Sequence, residues 1–149
     1  MSLKGKLVSE INIKCVADVF HDIFRYRQHD ISSMCPDKYR MWIFMKVNGA
    51  LLVKFWKFIH DGTEKAAKHL VKAIDEKKKK LIKVKVIGGD ILEEYKSFFF
   101  TVHVESKGEE NLVTWIMEYE KKNVSVPDPH TLMELCLNMT KDIETYRIK

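Results

Sequence analysis

Apolar residues stand at every second position through much of the chain, which is the pattern of strands that bury one face. The alternation predicts a first strand over residues 6–14, and later strands over residues 39–47, 50–60, 82–86, from the Gly88-Gly89-Asp90 turn to about Val104, and 111–121. Asn48-Gly49 separates the second and third runs and is a two-residue hairpin signal, because both positions take a positive φ. Residues 64–75 are ambiguous, since their alanines and lysines suit a helix whereas the turns on either side suit a strand.

The apolar spacing changes to that of a helix in two parts of the chain. Ala17–Tyr26 fits a short amphipathic helix, and Asp30 is a candidate cap for a second short helix before Pro36. Residues 129–147 place one apolar stripe at helical spacing, formed by Leu132, Leu135, Cys136, Met139, Ile143 and Tyr146. We predict a long terminal helix there, about 28 Å in length, with Asp128 as its N-cap.

These elements give an α+β order of one strand, two short helices, about six antiparallel strands and a long terminal helix. The helix stripe must be buried on one face of the sheet, because an amphipathic helix needs an apolar layer to cover. A strongly curved sheet wrapped around one helix does not close tightly everywhere. The predicted architecture therefore has room for an internal cavity.

Composition narrows the class of protein. The 149 residues are 46% apolar, which suits one domain over residues 1–149 with a substantial core. Lys and Arg number 26 against 21 Asp and Glu, a net charge of +5. Most lysines alternate with apolar residues, and the run Lys77–Lys80 has no interleaved aromatic residues. We interpret them as solvated strand faces and turns, so nucleic-acid binding is not favoured.

The cysteines, the histidines and the apolar runs indicate where the protein is located and whether it holds a metal or cofactor. Cys15, Cys35 and Cys136 are too scattered for a disulfide framework or a zinc site, and the six histidines lack metal-ligand spacing. The first thirty residues lack the apolar region of a secretory leader, and no apolar run in the sequence is long enough to span a bilayer. We expect a cytoplasmic protein without a membrane span, metal or cofactor.

Three segments carry a resemblance to a known family. Residues 55–62 (FWKFIHDG), 86–98 (VIGGDILEEYKSF) and 113–121 (VTWIMEYEK) resemble signature segments of the major latex proteins, which belong to the Bet v I superfamily. The resemblance extends from the opening residues 3–8 to residues 140–144. It implies a START-like helix-grip fold: a seven-stranded curved antiparallel sheet around a long C-terminal helix, with two short helices after strand 1. It also implies that residues 64–75 form a strand.

The chain departs from family patterns at three places. The glycine-rich loop is reduced to Asn48-Gly49, which cannot supply the several backbone amides of a phosphate cradle. Gly88 replaces a family glutamate, which is expected to loosen a loop at the cavity rim. Alkaloid-forming relatives carry a cavity-facing lysine on the last strand, and matching the segments puts Thr114 at that position. That departure argues against carbonyl–amine condensation by the same route.

The resemblance implies a role in holding hydrophobic metabolites, and the periodicity supplies candidate lining residues. The expected cavity lining is Phe20, Phe24, Trp56, Phe58, Val84, Val86, Phe98, Phe100, Val102, Ile116, Leu132, Leu135 and Met139. Ordinary core packing is the alternative interpretation for each of them. Glu94 and Tyr95 are the candidates for acid–base chemistry at such a cavity.

Three functions fit these observations. The first is an intracellular binding or carrier protein for a small hydrophobic plant metabolite, linked to defence, stress or specialised metabolism. The second is a cofactor-free cyclase or isomerase acting on a reactive terpenoid or alkaloid intermediate, since a cavity can act through orientation and exclusion of water. The third is an RNA-binding stress protein. We expect a monomer or a weak dimer.

Overall fold

The computed structural model describes residues 3–14, 39–47, 51–60, 62–75, 81–107 and 110–148. The strands are β1 (Lys4–Ile13), β2 (Tyr39–Val47), β3 (Leu51–His60), β4 (Thr63–Asp75), β5 (Leu81–Gly89), β6 (Tyr95–Lys107) and β7 (Glu110–Lys121). A short 3-10 helix, Asp90–Glu93, lies between β5 and β6, and helix α1 spans His130–Ile148. The two short helices and the Asn48-Gly49 turn of the sequence prediction lie outside the described residues.

The strands form one antiparallel seven-stranded sheet in the order β1-β7-β6-β5-β4-β3-β2. Strands β2 to β7 follow one another along the sheet, while β1 pairs with the last strand through a regular register from Lys4↔Glu120 to Ile13↔Asn111. The pairing of β4 with β5 shifts register between Lys68 and His69 of β4, and the pairing of β6 with β7 shifts between Tyr95 and Ser97 of β6. Such bulges bend and twist strands, which favours a curled sheet.

One face of the sheet is apolar, and we call it the inner face. Its strand residues belong to one buried cluster, namely Phe58, Ala67, Ile82, Val84, Val86, Phe98, Phe100, Val102, Val104, Val113, Trp115, Met117 and Tyr119. The opposite, outer face carries Lys83 and Lys85, whose ammonium groups lie 5.1 and 6.0 Å from the ring centroid of Phe99. Val8 is 53% exposed on this face, because alternation in β1 turns Leu7 and Ile11 inward instead.

Helix α1 covers the inner face with the stripe predicted from the sequence. Leu132, Cys136, Met139 and Ile143 are buried, and Leu135 is half-buried against the same cluster. Met133 and Thr140 are buried too, so the buried surface of the helix is wider than the predicted stripe. None of the described helices is long and apolar enough to cross a membrane.

The segment before α1 fastens the start of the helix to the sheet. The Tyr119 hydroxyl donates to Oδ1 of Asp128 at 2.7 Å, and Nζ of Lys121 lies 3.0 Å from the same oxygen. The Tyr95 hydroxyl donates to the Pro127 carbonyl at 2.8 Å. The helix itself begins at His130, so the Asp128 carboxylate holds the approach to the helix against β7.

Candidate ligand-binding site

Helix α1 lies unevenly across the sheet. Its backbone comes closest to β1 and β7 at one side of the strand order and to β3 near the other. Among the described residues, the three strands between them, β6, β5 and β4, approach the helix backbone at fewer points. We therefore consider the inner face of β4 to β6 the candidate site for a ligand.

Most of the predicted lining residues face this region. Phe58, Val84, Val86, Phe98, Phe100 and Val102 are buried on the inner face, opposite Leu132 and Met139 of the helix. Phe98 and Met117 are fully buried, whereas Phe100 and Met139 retain 7% and 8% exposure although they point toward each other's layer.

The prediction for Ile116 is wrong. Val113, Trp115, Met117 and Tyr119 of β7 face inward, and the pairing with β6 is regular along this stretch. Because successive side chains of a strand point to opposite faces, Ile116 lies on the outer face, where it pairs with Val8 of β1. Phe20 and Phe24 lie outside the described residues, as does the side chain of Trp56.

A continuous row of rings crosses the inner face, and we call it the aromatic row. Tyr119 stacks on Phe98 at 5.8 Å between centroids, and Tyr95 meets both rings edge-on at 5.1 and 5.6 Å. Phe98 lies 4.9 Å from Phe100, and Phe100 lies 5.6 Å from the imidazole of His69 with the planes 38° apart. Such tilted and edge-on pairs are the favoured arrangements of aromatic rings, and they hold a broad apolar surface in place.

Sequence reasoning omitted several inward residues from the site, among them Trp115, Met117 and His69. For β7 the signal was present, because Glu118 and Glu120 stand at the alternate positions and assign Met117 and Tyr119 to the inner face. His69 stands two residues after the buried Ala67 on the same face of β4, but a histidine among lysines and alanines gives no hydrophobic signal.

Two buried polar side chains, Trp115 and Thr140, connect β7 to α1. Nε1 of Trp115 donates to Oγ1 of Thr140 at 2.8 Å, and that hydroxyl donates to the Cys136 carbonyl at 2.9 Å. Burial raises the pKa of the Cys136 thiol to about 12, so the thiol is neutral and unreactive. These contacts fix the middle of α1 against β7.

The candidate acid–base residues have other partners. Burial, followed by the charges of Glu94 and Asp128, raises the pKa of Tyr95 to about 12, and its hydroxyl is bound to the Pro127 carbonyl. Burial and the hydrogen bond to Asp128 raise the pKa of Tyr119 as well, while that bond and Lys121 lower the pKa of Asp128. The Glu94 side chain is exposed at the end of the 3-10 helix. The protons of Tyr95 and Tyr119 are thus held in hydrogen bonds that connect the sheet to the segment before α1.

Two further sequence expectations concern chemistry. Thr114, matched to a cavity-facing lysine, lies on the outer face opposite His103, since Val113 and Trp115 on either side face inward. Segment matching therefore placed it one residue out of phase with the inner face. Among the described residues, no group of three or more His, Cys, Asp or Glu side chains has the geometry of a metal site.

Comparisons with known proteins agree along the whole chain. The model of the pathogenesis-related protein Bet v 1 family matches residues 2–149. MLP-like protein 43 of Arabidopsis thaliana is 37% identical, with 97% of this chain and 94% of that protein covered. MLP-like protein 28 of the same plant is 36% identical, and this chain spans only 44% of its length.

Solved structures give the same result for the fold. The crystal structure of ginseng major latex-like protein 151 from Panax ginseng matches with a TM-score of 0.93 and 39% identity, over 99% of both chains. Norcoclaurine synthase from Thalictrum flavum, solved with dopamine and hydroxybenzaldehyde, matches with a TM-score of 0.76 over 99% of this chain and 88% of its own. At 15% identity the latter likeness shows a shared fold alone.

Proposed function

Because the chain belongs to the Bet v 1 family and is similar to major latex proteins, we propose that it binds one small hydrophobic metabolite between the inner face and α1. The observation that carries the proposal is the uneven seating of the helix, which approaches both sides of the sheet more closely than the central strands. The aromatic row lies across those central strands. Small-molecule sites are usually concave, mostly apolar and largely pre-formed. A row of packed rings on a curled sheet beneath a helix fits this description.

A carrier role fits the chemistry of this surface better than catalysis does. Acid–base catalysis needs a titratable group within hydrogen-bond reach of the reacting atom. The hydroxyls of Tyr95, Tyr119 and Thr140 are all engaged in bonds within the protein. Apart from the imidazole of His69, the described inner face offers a ligand chiefly apolar contact area, which suits holding a molecule.

The outer face does not favour nucleic acid as a ligand. Several of its lysines pair with carboxylates: Lys83 with Glu118 at 3.8 Å, Lys96 with Glu120 at 3.7 Å and Lys57 with Glu64 at 3.6 Å. Nucleic-acid interfaces concentrate unpaired positive charge on one face. Mixed charge of this kind suits a solvated surface.

The test compares two adjacent phenylalanines on opposite faces of β6. Phe100→Ala removes a ring of the aromatic row, whereas Phe99→Ala removes a half-buried ring from the outer face. We expect the wild-type protein to bind the uncharged fluorescent probe N-phenyl-1-naphthylamine saturably. Affinity should fall about tenfold in Phe100→Ala, because contact area and ring stacking are lost, and stay near the wild-type value in Phe99→Ala.

Binding must be measured well below the unfolding temperature, since truncating a core phenylalanine costs about 3–5 kcal/mol of stability. Folded wild-type protein with no saturable signal would contradict the proposal. So would a Phe99→Ala protein that loses the probe as strongly as Phe100→Ala does. Native mass spectrometry of protein taken from its own tissue would then identify the retained metabolite.

A further inference from the structure

Strand β1 stands at one end of the strand order, so none of the described strands pairs with its second edge. The Leu3 carbonyl accepts from the Lys121 N–H of the β7 side at 2.8 Å, and hydrogen-bonded pairs of an antiparallel ladder recur at every second residue. The odd-numbered residues of β1 therefore turn their backbone groups toward β7. Lys6, Val8 and Glu10 turn their N–H and C=O groups the other way, and we call these three residues the open edge.

The side chains of the open edge are all exposed on the outer face. Val8 is 53% exposed at the centre, and it lies beside the half-buried Ile116 of β7. Lys6 stands two residues before Val8, and Glu10 stands two residues after it. Edge strands are often protected from pairing by lysines, whereas this edge carries opposite charges on the two sides of an apolar centre.

Such an edge is complementary to itself when a second copy is related to the first by a two-fold axis at Val8. The two strands then run antiparallel, with Val8 opposite its own counterpart and Lys6 opposite Glu10 on both sides of the axis. All of these pairs are of the hydrogen-bonded kind, because the open edge supplies the N–H and C=O groups of both strands. Apolar pairs and pairs of opposite charge both stabilise antiparallel strands.

Other two-fold registers of the same edge are less favourable. An axis at Lys6 or at Glu10 would set like charges opposite each other, which destabilises a strand pair. An axis at Leu7 or at Ser9 would set Val8 opposite a charged residue. The side chains of the open edge therefore favour the register centred on Val8.

We propose that two copies of the chain form a symmetric dimer through β1, in which the two seven-stranded sheets join into one continuous sheet. The pairing ends before Lys14, whose backbone N–H donates to the Glu144 carboxylate of α1. Two strand edges bury little area by comparison with the roughly 1,200–2,000 Å² of stable complexes. The dimer is therefore in equilibrium with the monomer and forms at high protein concentration.

The test measures self-association of the intact chain by sedimentation equilibrium, from micromolar to millimolar concentration at low ionic strength. The wild type should show a monomer–dimer equilibrium. Val8→Lys should raise the dissociation constant about tenfold or more, because it sets two ammonium groups opposite each other at the axis. Ile87→Lys is the matched control, since Ile87 is 41% exposed on β5 and the variant gains the same charge away from β1. Its dissociation constant should equal that of the wild type.

Charge reversal tests the register. Lys6→Glu and Glu10→Lys each set like charges opposite each other on both sides of the axis, so each should weaken the dimer several-fold. The double variant restores both pairs and should dimerise like the wild type. An equimolar mixture of the two single variants should form a heterodimer, because one chain is then negative and the other positive at both positions.

A wild type that stays monomeric at millimolar concentration overturns the proposal. A dimer whose dissociation constant is the same in Val8→Lys as in the wild type also overturns it, since that dimer must use another surface. A double variant that dimerises no better than the single variants overturns the pairing of Lys6 with Glu10. The substituted side chains are exposed, and thermal unfolding of each variant verifies that it is folded.

Discussion

Replacing Thr140 by valine tests whether the bond between α1 and β7 stabilises the fold. Thr140 is fully buried, and its hydroxyl accepts from Nε1 of Trp115 at 2.8 Å while donating to the Cys136 carbonyl. Valine keeps the shape of threonine but removes both hydrogen bonds. The change therefore isolates the polar contribution from the packing of the helix.

The expected loss follows from the burial of the donor. Trp115 is 4% exposed, so water cannot replace the missing acceptor without a local rearrangement. Removing one partner of a buried hydrogen bond costs about 1–3 kcal/mol. For a chain of about 150 residues, each kcal/mol lowers the melting temperature by roughly 2–4 °C.

Chemical denaturation of wild type, Thr140→Val, Trp115→Phe and the double variant completes the test. The free energies of unfolding should show a coupling of about 1 kcal/mol between the two positions, because either change alone breaks the same bond. Thr140→Ser is the control, since it keeps the hydroxyl and loses only a methyl group. A Thr140→Val protein as stable as wild type, or two changes with simply additive effects, would refute this account of how the helix is held.

Two further predictions concern the loops at the end of the sheet. Hydrogen bonds from Tyr119 and Lys121 lower the pKa of Asp128 below its value in the unfolded chain, so its contribution to stability is present above the unfolded pKa and is lost as pH falls through the folded one. Asp128→Asn should thus lower the free energy of unfolding by up to about 1 kcal/mol at pH 7, a limited effect because the carboxylate is 46% exposed. The difference in unfolding free energy between wild type and variant, measured by chemical denaturation, should shrink toward pH 3. Gly89→Ala should destabilise the fold by about 2 kcal/mol or more, since φ is 100° and a Cβ would lie 2.2 Å from the Ala66 carbonyl oxygen. Gly88→Ala, whose Cβ would meet only the Lys68 side chain at 3.4 Å, should change the melting temperature little.

The fold could not be predicted from the sequence where the alternation of inward and outward residues along a strand is interrupted. Strand β5 was predicted from its alternation with Lys83 and Lys85, and the structure confirms it. Residues 64–75 stayed ambiguous from periodicity alone, and the structure shows why: β4 has register shifts at Lys68/His69 and at Val71/Ala73. The shift at Val71/Ala73 adds a residue to β4 and moves the residues after it out of phase, whereas the extra residue at Lys68/His69 is Ile87 of β5.

The 3-10 helix Asp90–Glu93 was also missed, because a tertiary contact defines it. The Asp90 carboxylate accepts the Ala66 backbone N–H of β4 at 2.7 Å, and Gly89 passes close to the same backbone. Neither contact has a signal in the local sequence, where Gly88-Gly89-Asp90 indicates only a turn. Long-range hydrogen bonds of this kind are available only from the folded chain.

The contacts that hold α1 also define which part of the inner face is left for a ligand. Tyr119, Tyr95 and Trp115 fix the start and middle of the helix through bonds to Asp128, Pro127 and Thr140. All three bonds lie on β7 or at the first residue of β6, so the inner faces of β4 and β5 and the middle of β6 carry none of them. Substitutions at Tyr95, Tyr119 or Trp115 should therefore alter probe affinity only by moving the helix, and the free energy of unfolding should fall in parallel. Substitution of Phe100 should alter affinity directly, and the relation between probe affinity and unfolding free energy across these variants would separate the two roles.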